Sequence, residues 1–132
     1  MTAGAQSRAV LGVIISGRCR DIAEHREACF PVFARGHSTL SQSPFTRPSR
    51  VNVPIVIVPR SGPGDVSEFP AVTVNPGDWM VADQDGVVCV PQGLEGRVVA
   101  LANLARDVDS RCQEDIKAGL GVQASFMKHR GK

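Results

Sequence analysis

The sequence predicts an α+β fold in which a β-rich body is followed by C-terminal helices. Three observations predict it. Short apolar runs rich in β-branched residues, such as residues 10–15 and 87–90, recur along the chain. Tight-turn residues separate several of them, in Asn75-Pro76-Gly77-Asp78 and in Asp83-Gln84-Asp85-Gly86. From Leu94 onward the apolar spacing becomes helical, with Leu94, Val98, Leu101, Leu104, Ala105 and Val108 on one stripe.

Taken in order, residues 1–9 carry no structural signal and are expected to be flexible. Residues 10–15 read as a buried strand, continuously apolar and too short for a helix. A buried strand needs neighbours, yet nothing precedes this one. Residues 16–21 are expected to leave it as a loop, and residues 22–29 to form one or two helical turns with Asp21 as N-cap. Residues 30–34 form a second strand with Pro31 near its start. The Ser-, Thr- and Pro-rich residues 36–50 read as a surface loop, flexible over 37–50. Pro54 makes residues 51–58 an edge or irregular strand. A turn cluster at residues 61–65 precedes strands at 71–74, 79–82 and 87–90. A helix over residues 94 to 117 ends at Gly119 and Gly121, and a last short helix covers 122–128. The chain is expected to be a single domain over residues 1–132.

Composition narrows the partners. Net charge is only +2, and Lys and Arg are scattered, so neither nucleic acid nor a membrane surface is an expected partner. Aromatic residues make up 5% with no Tyr, too few for a base-stacking platform. Cys19, Cys29, Cys89 and Cys112 form no CxxC pair or zinc spacing and are read as reduced thiols. No segment has the charge and apolar pattern of a secretory leader, and no apolar run is long enough to span a bilayer, so a cytoplasmic location is expected.

The residues most able to carry chemistry are Gly17-Arg18-Cys19-Arg20-Asp21, at the end of the first strand. A guanidinium grips a carboxylate through two parallel hydrogen bonds. An adjacent carboxylate is a hard oxygen ligand suited to Mg²⁺ or Mn²⁺. Arg20 and Asp21 could together hold a small 2-oxo acid; they could equally be an exposed ion pair with Asp21 capping a helix. Other candidates read as structural. Asp83 and Asp85 belong to a hairpin turn, Trp79 to the core, and His25, His37 and His129 to the surface. Gly62-Pro63-Gly64 is too short for a phosphate loop, and Arg18 and Arg35 could line a substrate cavity, with solvent exposure as the default reading.

Several stretches resemble one known family in register. They are the strand ending in Gly17-Arg18-Cys19-Arg20-Asp21, then Phe30-Pro31-Val32-Phe33-Ala34-Arg35-Gly36, Val51-Asn52-Val53-Pro54-Ile55, Val74-Asn75-Pro76-Gly77-Asp78-Trp79, and Val81-Ala82-Asp83-Gln84-Asp85-Gly86-Val87-Val88. Together they resemble the RraA-like family, which includes regulators of ribonuclease activity and class II pyruvate aldolases acting on 4-hydroxy-4-methyl-2-oxoglutarate. The tail from Glu114 to Arg130 looks like the family's fungal branch. The resemblance implies a swivelling β/β/α domain assembled as a homotrimer or homohexamer, with sites at subunit boundaries. It implies that Arg20 binds the substrate carboxylate and that Asp21 ligates a divalent cation, Mg²⁺ or Mn²⁺, both residues being catalytic.

The implied chemistry is retro-aldol release of pyruvate and, by the same route, oxaloacetate decarboxylation. No Schiff-base lysine is required, and the first lysine of the chain is Lys117. Family members carry a further stretch before this region, with a glycine-containing loop that grips the substrate and another acidic residue near the metal. The chain thus resembles the C-terminal portion of the family domain, and activity impaired by truncation is expected. The alternative implied by the resemblance is a non-catalytic protein-binding module of the ribonuclease-regulator type.

Overall fold

The computed structural model describes residues 1–59 and 70–131. The turn cluster expected at residues 61–65, with Gly62-Pro63-Gly64, lies outside these. The element order is α1 (Thr2–Gln6), β1 (Val13–Cys19), α2 (Ile22–Glu27), β2 (Val32–His37), β3 (Ile55–Ile57), β4 (Val72–Val74), β5 (Trp79–Ala82), β6 (Val87–Val90), α3 (Glu95–Lys117) and α4 (Val122–Arg130). The mixed helix and strand content makes the fold α+β. The chain divides into two compact units, Met1–Cys89 and Val90–Lys132.

Among the described residues the strands form three two-stranded pairs. β1 and β2 run parallel, which α2 makes possible by carrying the chain back between them. β1 starts later than residues 10–15 suggested because the chain passes very close to β2's start. A Cβ on Gly12 would lie 3.0 Å from the carbonyl oxygen of Pro31, so any larger residue would force this backbone to shift. Pairing then begins at Val13 with Val32. β1 also runs further than expected: Gly17, Arg18 and Cys19 lie in the strand, not in a loop, with Cys19 opposite His37. Phe30 is the buried apolar side chain here, at 6% exposure.

Residues 1–9 gave no signal in the sequence, but helix α1 is tied to α2. Thr2 is 3% exposed, and its Oγ1 is hydrogen-bonded to Nδ1 of His25 at 2.7 Å. The Gln6 Nε2 amide donates to the Ala28 carbonyl at 2.9 Å. His25 is therefore half-buried and bonded, not the free surface residue that the sequence suggested.

Pro54 has no N–H to give a ladder, and β3 begins only after it. β3 pairs antiparallel with β4, Ile55 opposite Val74. Two acidic turns then shape β5 and β6. The Asp78 carboxylate accepts from the backbone N–H of Asn75 at 2.7 Å. Asp83 Oδ1 accepts from the N–H of Asp85 at 2.8 Å, and the Asp83 N–H donates to the Gly86 carbonyl at 3.0 Å. Asp83 is thus a turn residue, as its sequence indicated. Trp79 departs from expectation: at 59% exposed it is not core. A two-stranded ribbon has two open faces, and Trp79 stands on one of them.

The second unit is a helical hairpin. Cys112 on α3 and Ser125 on α4 are buried at 2% and 0%, and the Ser125 hydroxyl donates to the Cys112 carbonyl at 3.2 Å. Asp115 receives Lys128 Nζ at 2.8 Å and His129 Nε2 at 2.7 Å, while Arg130 reaches Asp109 at 2.6 Å. Arg130 also lies over the Phe126 ring, 4.0 Å from its centre. His129 is consequently half-buried and paired, another departure from the surface reading. The four cysteines are free thiols. Among the described residues, no helix is long and apolar enough to cross a membrane.

Candidate active site

An irregularity in β1 sets the direction of its side chains. Val13, Ile14 and Ile15 pair with Val32, Phe33 and Ala34, but Arg18 and Cys19 pair with Gly36 and His37. From Ile15 to Arg18 β1 advances three residues while β2 advances two, so one extra residue is accommodated near Ser16 and Gly17. Such a bulge reverses the alternation of side chains beyond it. Val13 and Ile15 line one cleft, and past the bulge Arg18, Cys19 and Arg20 line the same cleft. Its volume is about 620 Å³. A glycine inside a β-branched run is a known sign of a bulge. Gly17 was therefore the available signal for this reorientation.

Asp21 follows in the left-handed region, φ 61° and ψ 39°. Asp and Asn tolerate this conformation better than most residues, though at a cost of about 1–2 kcal/mol. An N-cap side chain reaches its helix from the extended region of backbone space. Asp21 stands at the N-cap position of α2 without making a side-chain cap. Its carboxylate turns instead to Arg20, whose Nε lies 3.2 Å from Oδ2. Both side chains are about half exposed, at 47% and 50%. Both expected site residues thus sit together in one cleft, as an ion pair through the Arg20 Nε.

The structure adds residues that the sequence reading had not linked to the site. Glu24, three residues after Asp21 and hence on the same side of α2, lines the cleft. So does His25, held by Thr2. The loop following β2 forms another wall through Ser41, Gln42, Phe45 and Thr46. Its local folding is marked by the N–H groups of Phe45 and Thr46, both bonded to the Gln42 carbonyl at 2.9 Å. Arg35 points elsewhere, donating to the Val58 carbonyl at 2.6 Å.

The donor set fits a hard divalent cation. Asp21 and Glu24 offer carboxylate oxygens in one cleft. Mg²⁺ is ordinarily held by one or two carboxylates, with waters and substrate oxygens completing its shell. Among the described residues, no three or more His, Cys, Asp or Glu side chains gather to form a metal cage of their own. A cation here would accordingly take part of its shell from substrate and water.

A family model described as RraA-like, Aldolase/RraA, matches residues 1–89. The chain belongs to this family. A protein of Halalkalibacterium halodurans with the provisional name 4-hydroxy-4-methyl-2-oxoglutarate aldolase is 31% identical over 110 residues, 83% of this chain and 46% of that protein. A crystal structure of an uncharacterized protein from Pseudomonas syringae pv. tomato superposes with a TM-score of 0.78 at 32% identity, covering 96% of this chain and 57% of that one. The chain therefore spans about half the length of these relatives. The matched family region contains Arg20, Asp21 and the whole described cleft.

Proposed function

We propose that this member of the RraA-like family is a divalent-metal-dependent pyruvate lyase, cleaving 4-hydroxy-4-methyl-2-oxoglutarate-type 2-oxo acids and decarboxylating oxaloacetate. The observation that carries this reading is the Arg20–Asp21 pair, held in the 620 Å³ cleft of a chain that belongs to the Aldolase/RraA family. The provisional aldolase name of the Halalkalibacterium relative supports the same substrate class.

Arg20 would bind the carboxylate beside the keto group through its guanidinium, whose Nε is bonded to Asp21 at 3.2 Å. That bond fixes the guanidinium before substrate arrives, so binding also sets orientation. Asp21, assisted by Glu24 in the same cleft, would hold Mg²⁺ or Mn²⁺. The cation, when bound, would supply Lewis-acid polarisation of the keto group. Retro-aldol cleavage also requires removal of the 4-hydroxyl proton. The active form is proposed as a homotrimer or homohexamer.

The test is pyruvate release from oxaloacetate and from 4-hydroxy-4-methyl-2-oxoglutarate, measured with Mg²⁺, with EDTA, and against a protein-free Mg²⁺ control. Release above the control that EDTA and Asp21→Asn both abolish is expected. Release that survives either treatment would refute the role given to Asp21. A second reading, an association module, is favoured by one observation. Leu94, Val98, Leu101 and Leu104 stand exposed along α3 at 45%, 41%, 57% and 62%. The two readings are compatible if that face joins copies of the chain.

A further inference from the structure

Arg18 is the second guanidinium that lines the cleft, just past the β1 bulge. We infer that Arg18 reads a second, distal carboxylate of the substrate, so that the cleft selects 2-oxo diacids over 2-oxo monoacids. This rests on the assignment of Arg20 to the carboxylate beside the keto group. Three features of Arg18 carry it.

The first is placement. Arg18 and Arg20 are two residues apart in an extended segment, so their backbones are separated by roughly 7 Å on the same side of the chain. That is a separation a four- or five-carbon diacid can bridge between two long side chains. The second is preorganisation. The Arg18 Nη1 group donates to the His37 carbonyl at 2.8 Å, across the strand pair. Gly36 leaves room for it: a Cβ there would lie 3.4 Å from Nη1. The guanidinium is thereby fixed before any ligand binds, which reduces the entropy lost on binding.

The third is charge. A carbonyl takes up one of the five N–H donors of an arginine and neutralises none of its charge. The ion pairs among the described residues join Arg20 with Asp21, Lys128 and His129 with Asp115, and Arg130 with Asp109. Arg18 keeps an unmatched positive charge in the cleft, while the one paired arginine there is already matched to Asp21. Ser41 and Gln42 line the same cleft and add neutral polar groups able to meet carboxylate oxygens.

Calorimetric titration of the full chain in Mg²⁺ tests this with 2-oxoglutarate as the diacid and pyruvate as the monoacid. The wild type is expected to bind 2-oxoglutarate more tightly. Arg18→Gln should weaken 2-oxoglutarate roughly ten- to a hundredfold, the loss of one charge-assisted interaction, and leave pyruvate unchanged. Arg20→Gln should weaken both. Arg18→Lys should retain part of the diacid preference; it also serves where Arg18→Gln fails to fold, since it keeps the charge. Equal weakening of both ligands by the Arg18 variants would overturn the inference, because it would show a structural role only. Wild-type binding of pyruvate with no diacid preference would overturn it while leaving the function of Arg20 standing. Binding of neither ligand would overturn both.

Discussion

Asp21 combines three properties that a sequence displays only separately: a carboxylate, a left-handed backbone and an adjacent arginine. Because it leaves the extended region, it does not cap α2 and is free to face Arg20. Asp21→Asn should therefore leave folding nearly intact and remove cation binding. Electron paramagnetic resonance of Mn²⁺ added to the protein would show it, as free Mn²⁺ signal reappearing in the variant. Arg20→Lys keeps the charge but replaces a planar two-donor fork with a point charge. Losing one charge-assisted hydrogen bond costs about 1.5–3 kcal/mol, so pyruvate affinity should fall roughly ten- to a hundredfold by calorimetry. Gly12 tests packing and not chemistry. A methyl at this position would meet the Pro31 carbonyl at 3.0 Å, and backbone is slow to yield. Gly12→Ala should cost about 1–3 kcal/mol in denaturant unfolding. A variant as stable as the wild type would mean that the β1–β2 approach is looser than this distance requires.

How legible these elements were in the sequence depended on what bounds them. β5 and β6 fall at the expected residues 79–82 and 87–90 because Asn75, Asp78, Asp83 and Gly86 form turns through their own local hydrogen bonds. α3 likewise follows its apolar period to Lys117. The end of β1 was misread because Gly17, Arg18 and Cys19 lack apolar β-branched character; their strand state comes from pairing with Gly36 and His37. α1 left no trace because its order comes from Thr2 and Gln6 reaching α2, contacts between residues distant in sequence. The adjacency of Arg20 and Asp21 was legible; their cleft was not, since its walls come from segments distant in sequence such as Thr2, Phe30 and Phe45. The α3–α4 hairpin carries a pH dependence of its own. Lys128 foremost, then His129, donate to the Asp115 carboxylate and hold its pKa below the ordinary 3.8. A carboxyl lowered on folding contributes stability above its ordinary pKa, and that contribution is lost as the pH falls through the lowered value. The melting temperature of the wild type should exceed that of Asp115→Asn near pH 6. The gap should close below about pH 4, as followed by circular dichroism. A gap that widened on acidification would reverse the sign assigned to this cluster.

Each unit of the molecule buries little apolar surface on its own account. Among the described residues, the apolar side chains under full cover are Phe30 in the first unit and Cys112 in the second. Val56, Trp79 and Val88 stand 62%, 59% and 61% exposed in the first, and Leu101 and Leu104 57% and 62% in the second. Monomeric soluble proteins rarely leave contiguous apolar surface of this kind uncovered. On α3 the exposed positions share a helical stripe, and the packed Cys112 lies further along the same helix, where α4 covers it. The stripe is therefore a continuation of a buried face beyond the end of its partner helix, and association would extend that burial. Light scattering at micromolar concentration should give a mass above the monomer's 14.1 kDa, with the trimer or hexamer as the proposed closed forms. The double change Leu101→Glu and Leu104→Glu should shift the mass toward the monomer. Carboxylates at these positions would have to be desolvated to enter an interface, yet they cost little on an exposed helix. The helical signal should stay intact in this variant, because the polar contacts that tie α4 to α3 fall at Asp109, Cys112 and Asp115. A wild type that remains monomeric, or a variant that assembles as well as the wild type, would remove α3 as the surface through which this chain associates.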